Sequence, residues 1–139
     1  QVQAYFAGRY MPQWLKNTNV EGIHIVGEVE DSIRFMTSKQ IMVVPLLSGS
    51  GIRIKIIEAM SIGKTVVATS IAAEGIMYED KKNILIANTP QEFADARKFC
   101  IENPLESKRI GEEAYKLIAE KYSNDQVVNQ LLALYQQIL

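Results

Sequence analysis

Residues 40–70, QIMVVPLLSGSGIRIKIIEAMSIGKTVVATS, leave this chain little choice of fold. Residues 40–45 are a short apolar run rich in β-branched side chains, closed by Pro45, and they read as a buried strand. Residues 46–51 must turn, with Gly49 and Gly51 free to take backbone angles that other residues avoid. From about Ile52 the apolar spacing becomes helical and runs to Gly63, which suits the position just past a helix end. Residues 65–68 then begin a second buried strand. A glycine turn feeding a helix aims N–H groups and the positive end of a helix dipole at one spot. A phosphate would sit there.

The helix itself carries a sharper signal. Ile54, Ile56, Ile57, Ala59, Met60 and Ile62 cover most of its circumference and predict a largely buried element. Past Arg53 its charges are Lys55 and Glu58, three apart and so on one face. A lysine in the first turn opposes the dipole, and lysine before glutamate is the weaker order of an ion pair. Arg53 adds a second cation at the same end. A solvated stripe with a local ion pair accounts for this pattern as surface structure. An anion held at the turn accounts for it as function, and the adjoining glycines favour that second reading.

The flanking sequence extends the alternation of strands and helices. Residues 2–7 and 22–27 read as strands, the second bracketed by glycines, with a helical turn over 11–16 opened by Pro12. Trp14 is expected to anchor that turn by packing, and His24 to play a structural part on its strand. Asp31 or Glu30 caps a helix through Lys39, with Ile33, Phe35 and Met36 facing inward. Residues 71–78 form a loop containing Glu74 and Gly75, and residues 83–87 a fifth strand. Thr89, Pro90 and Glu92 spell a capping box. Helices follow at about 90–102, 105–121 and 124–138, the last with a broad apolar face. Strands that are apolar almost throughout and alternate with helices predict a parallel sheet covered on both faces. Ligands on such sheets bind beyond the carboxyl ends of the strands, where the loops after Gly8, Gly27, Pro45 and Thr69 are expected to converge.

Composition narrows the function. With 139 residues the chain can bury one proper core, and a net charge of −1 argues against a general nucleic-acid binder. One cysteine, Cys100, rules out an internal disulfide and a cysteine-based metal cluster, and it reads as a buried thiol within a helix. No stretch has the length of a transmembrane span and no signal peptide is visible, which fits the cytoplasm or its membrane face. The chain opens on Gln1 and runs straight into a strand, so it is expected to be a piece of a larger protein.

As a string, GSGIRIKIIEAMSIGKTVVATSIAAEGI strongly resembles the C-terminal, nucleotide-sugar-binding domain of retaining glycosyltransferases of the GT-B fold, in the family 4 or group 1 branch. AGR near the start, IVGEV, VVPL, ILIAN and the KYS before the last helix carry the resemblance over nearly the whole chain. It implies a Rossmann-like α/β domain over residues 1–139, the C-terminal half of a GT-B fold. The first strand and helix of that half, and the acceptor-binding domain, would precede Gln1. The partner implied is a nucleotide diphosphate sugar donor, with hexosyl transfer that needs no cofactor or metal, and the isolated piece would be inactive.

By this resemblance Glu58 is the second of two glutamates separated by seven residues and accepts from the ribose hydroxyls. Lys55 and Arg53 would neutralise the diphosphate. Gly49 and the backbone of Ser50, Gly51 and Ile52 would meet the sugar or the phosphate beside it. Two positions depart from the pattern. Ser50 stands where the first glutamate of the pair would fall, which shifts the sugar contact toward the backbone, and Thr65 stands where proline is common. Two other classes compete. One is a non-catalytic nucleotide-binding or assembly module that pairs through its C-terminal helix. The other is a nicotinamide-binding domain, which lacks its G-x-G-x-x-G turn after the first visible strand.

Overall fold

Parallel ladders form in two places along the chain. The computed structural model describes residues 2–138. These divide into two compact units that meet in sequence between Phe35 and Met36.

In the first unit β1 (Ala4–Ala7) pairs in parallel with β2 (Ile23–Gly27), Ala4 opposite Ile23 and Tyr5 opposite His24. The connection contains α1 (Gln13–Lys16), one helical turn whose cap is Pro12 at φ −65°. Trp14 is 73% exposed, contrary to the packing role expected of it, because a four-residue turn buries none of its side chains. His24 is structural: its ring stacks on Tyr5 at 4.7 Å and its Nε2 pairs with the Gln3 amide oxygen.

A short α2 (Ser32–Thr37) follows, capped by Asp31, whose carboxylate accepts from the Arg34 N–H at 2.9 Å. Met36 is buried, but Ile33, expected inward, is 40% exposed.

The second unit holds β3 (Ile41–Val44), β4 (Thr65–Ala68) and β5 (Leu85–Ile86), all parallel, with β4 in the middle. All four residues of β4 are buried, as its unbroken apolar run requires. Alternation splits them between two cores. Val66 and Ala68 pack with Ile56 and Met60 of α3 (Ile54–Ser61) and with Ala114 and Ile118 of α5 (Pro104–Lys121). Val67 packs with Leu85, with Cys100 of α4 (Pro90–Glu102) and with Ile110 of α5. Helices thus cover both faces of the strand. Burial pushes the Cys100 thiol above its ordinary pKa, against a smaller opposing effect of a hydrogen bond to Ser107, as expected of an inert buried thiol.

Local details refine several expectations. The helix α3 begins at Ile54 rather than Ile52, with Arg53 as its extended N-cap at φ −87°, ψ 98°. Ile54 is 69% exposed, so the helix is buried along one side only. At about 100° per residue Ile54 lies opposite Ile56 and Met60 and shares its side with Glu58. Gly63 ends the helix at φ +70°, its N–H donating to Met60 and that of Lys64 to Ala59, a Schellman closure. The fifth strand shrinks to two residues, and the Asp80 carboxylate takes the Ile86 N–H at 2.8 Å while the Ala87 N–H still bonds the Ala68 carbonyl of β4. Thr65, at the place where proline is common, is buried and donates to the Ser107 carbonyl at 2.6 Å. The last helix, α6 (Asn124–Ile138), buries none of its described residues.

Candidate functional site

Three loops meet at the carboxyl edge of β3, β4 and β5. Thr69, just past β4, sends its hydroxyl to the Leu46 carbonyl after β3 at 2.5 Å, and its N–H bonds the Val44 carbonyl. Ser70 donates from N and Oγ to the Asn88 side chain after β5, at 3.0 and 2.9 Å. The convergence expected of the loops after Pro45 and Thr69 is therefore present.

The glycine turn is built for its shape. Gly49 has φ +123° and Gly51 φ +82°, both in the region that side chains avoid. A Cβ on Gly49 would fall 2.2 Å from Arg53 Nη2. The guanidinium folds back over the turn, with Nη1 donating to the Ser50 carbonyl at 2.7 Å and Nε buried with no partner. Gly75 admits the Ile52 side chain, whose Cγ1 would lie 2.7 Å from any added Cβ. Gly49, Ser50, Gly51 and Ile52 are exposed and Arg53 is half-buried.

Directly after the turn, Lys55 Nζ and Glu58 Oε2 are 2.6 Å apart. Their side chains are 58% and 34% exposed, so the pair contributes less than about 1 kcal/mol to stability. No side chain caps the α3 N-terminus and no acidic residue occupies its first turn. By contrast α4 has a full capping box of Thr89 and Glu92. The α3 end therefore keeps its positive dipole uncompensated by a cap or a first-turn acid. Among the described residues no group of three or more His, Cys, Asp or Glu is arranged to hold a metal ion.

All seven residues singled out from the sequence fall in one segment, 49–58, made of the turn after β3 and the first two turns of α3. Arg53 differs in detail, since its charge is spent on the turn itself. The sequence reading missed Thr69 and Tyr122, which fasten the neighbouring loops, and the partner of Gly75. Two concavities lie elsewhere. One of about 420 Å³, bounded by Ser61, Ile62, Gly63, Glu112, Tyr115 and Lys116, sits at the opposite end of α3.

Parallel sheets flanked by helices make this a Rossmann-like α/β arrangement, which matches the fold of GT-B glycosyltransferase structures. The family model for group 1 glycosyl transferases matches residues 1–103, and the chain belongs to that family. It is 31% identical over 91 residues, 66% of its length, to an uncharacterized 44.6 kDa protein in the cps region of Klebsiella pneumoniae, of which it covers 24%. Among solved structures it resembles TarM, with a TM-score of 0.80 and 22% identity over 96% of this chain and 28% of that one. It also resembles Anabaena Alr3699/HepE, solved in complex with UDP, with a TM-score of 0.74 and 22% identity over 85% of this chain and 33% of that one. A third likeness is the C-terminal domain of the group 1 protein LpcC from Francisella tularensis, with a TM-score of 0.65 and 23% identity over 74% and 55% of the two chains. The chain spans about a quarter of the curated relative and about half or less of these structures.

Proposed function

We propose that residues 1–139 form the donor-binding domain of a full-length glycosyltransferase that takes a nucleotide diphosphate sugar and transfers its sugar with retention. The observation that carries this reading is the exposed Lys55–Glu58 pair, directly after a glycine turn, on an α3 N-terminus with no side-chain cap. In this reading Glu58 accepts from the ribose hydroxyls while Lys55 faces the diphosphate. The amides of Ser50, Gly51 and Ile52 meet the sugar or its phosphate. The bond from the anomeric carbon to the diphosphate breaks, the acceptor oxygen bonds to the same face, and the acceptor proton passes to the departing phosphate. Lys55 and the helix dipole stabilise the charge that develops there, without a metal. The acceptor is held outside this chain, so the 139 residues alone do not transfer a hexose. The cytoplasm, including its membrane face, is the compartment that supplies such donors.

Titration of the full-length protein with UDP, GDP and ADP and their sugars tests this. UDP comes first, because the Anabaena HepE structure contains it. Binding that is lost in Glu58→Ala supports the reading. Failure to bind any of them would favour an assembly module instead, a reading motivated by the exposed apolar face of α6.

A further inference from the structure

The donor turn is braced from a part of the chain that has no place in the chemistry above. Ile52, whose backbone belongs to the turn, lays its side chain against the bare α-carbon of Gly75. Gly75 has φ +82° and lies in the loop after β4. That loop is gripped in turn by Tyr122, the C-cap of α5. Its hydroxyl accepts from the Met77 N–H at 2.8 Å and donates to the Gly75 carbonyl at 3.4 Å. Phenolic oxygen, loop, Ile52 and turn form one continuous series of contacts within the unit Met36–Leu139.

We infer that Tyr122 and Gly75 are positioning residues for donor binding: the Tyr122 hydroxyl holds Gly75 where its missing side chain receives Ile52, and Ile52 sets the direction of the turn amides. The inference rests on the reading that residues 49–52 meet the donor. Amides at such a turn act only when they converge, and a displacement of less than 1 Å is enough to lose a hydrogen bond. A tyrosine hydroxyl bonded to two backbone groups of one loop is a restraint on that loop, and Phe would keep the ring while removing it.

Calorimetric titration of UDP, GDP and ADP into full-length wild type, Tyr122→Phe, Gly75→Ala and Gly75→Ala/Ile52→Ala proteins tests it, with melting temperatures measured without nucleotide. Tyr122→Phe is expected to weaken the nucleotide that wild type binds by about three- to tenfold, the scale of one hydrogen bond, while the melting temperature stays within a few degrees. Gly75→Ala is expected to weaken it by at least about tenfold, and the double variant, in which the side chain that directs the turn is gone as well, to stay weakened. A lower melting temperature with unchanged affinity in Tyr122→Phe, or wild-type affinity in the double variant, overturns the inference. The Glu58→Ala control keeps the two proposals apart. If wild type binds and Glu58→Ala does not, the donor reading stands and the Tyr122 result judges the brace alone. If wild type binds none of the three, the donor reading fails and the brace falls with it.

Discussion

Gly111 shows how far a single position can invert a general rule. Inside a helix, glycine to alanine ordinarily stabilises by about 0.5–1 kcal/mol. In α5 an added Cβ would lie 2.1 Å from the Gly63 carbonyl oxygen and 3.0 Å from its carbon, where the chain leaves α3 for β4. Backbone cannot swing aside as a side chain does, and overpacking of this kind costs about 1–3 kcal/mol. Gly111→Ala should therefore lower stability in a denaturant melt, and an unchanged or higher midpoint would refute the close approach. Lys55→Ala should behave in the opposite way. Its exposed ion pair contributes little to folding, so the melting temperature holds. Assays of the full-length enzyme should lose about one to three orders of magnitude in turnover, the scale of one charge-stabilising donor. Near-normal turnover would remove Lys55 from the mechanism. Lys55 and Glu58 were legible as neighbours because helical spacing alone places them side by side. The bond from Arg53 to Ser50 was not, since a guanidinium can reach forward to a ligand or back to its own turn with the same sequence.

Elements were legible wherever a local signal ends or starts them. The capping box predicted from Thr89, Pro90 and Glu92 is complete, with Thr89 Oγ1 accepting from the Glu92 N–H at 3.2 Å and Glu92 Oε2 accepting from the Thr89 N–H at 3.2 Å. Thr89→Ala should cost about 1 kcal/mol, read as a shifted unfolding midpoint, and Thr89→Ser should recover most of it. Where an element depends on a distant partner the sequence reading erred. The fifth strand pairs with β4 over two residues only, and periodicity within residues 83–87 does not record how far a ladder runs. The helix α3 begins two residues late because Arg53 takes extended angles as the cap. That shift puts the arginine on the turn and leaves Ile54 in solvent, so an apolar residue counted toward the core does not belong to it.

At the scale of the whole chain, α6 is the feature that folding leaves unfinished. Val127, Val128, Leu131, Leu132, Leu134, Tyr135 and Ile138 are each about half exposed or more, and they share one side of the helix. The sequence predicted that face and its availability for pairing, because amphipathicity marks the side of a helix that seeks burial. Such a stripe exposes roughly the few hundred Å² at which apolar patches mark an interaction site. Asp125 is the helix's one charged residue, so two copies would meet there with little repulsion. The area is smaller than the roughly 800 Å² per partner of a stable complex, so pairing through α6 alone should be weak and reversible. Sedimentation of the 139-residue chain should then show a dimer that grows with concentration, and Leu131→Asp should return it to monomer without lowering its melting temperature. A wild-type chain that stays monomeric at high concentration would show that α6 does not pair with itself. In full-length protein, where the rest of the chain can cover the same face, dimerisation through α6 should weaken or vanish, because one stripe cannot serve two partners at once.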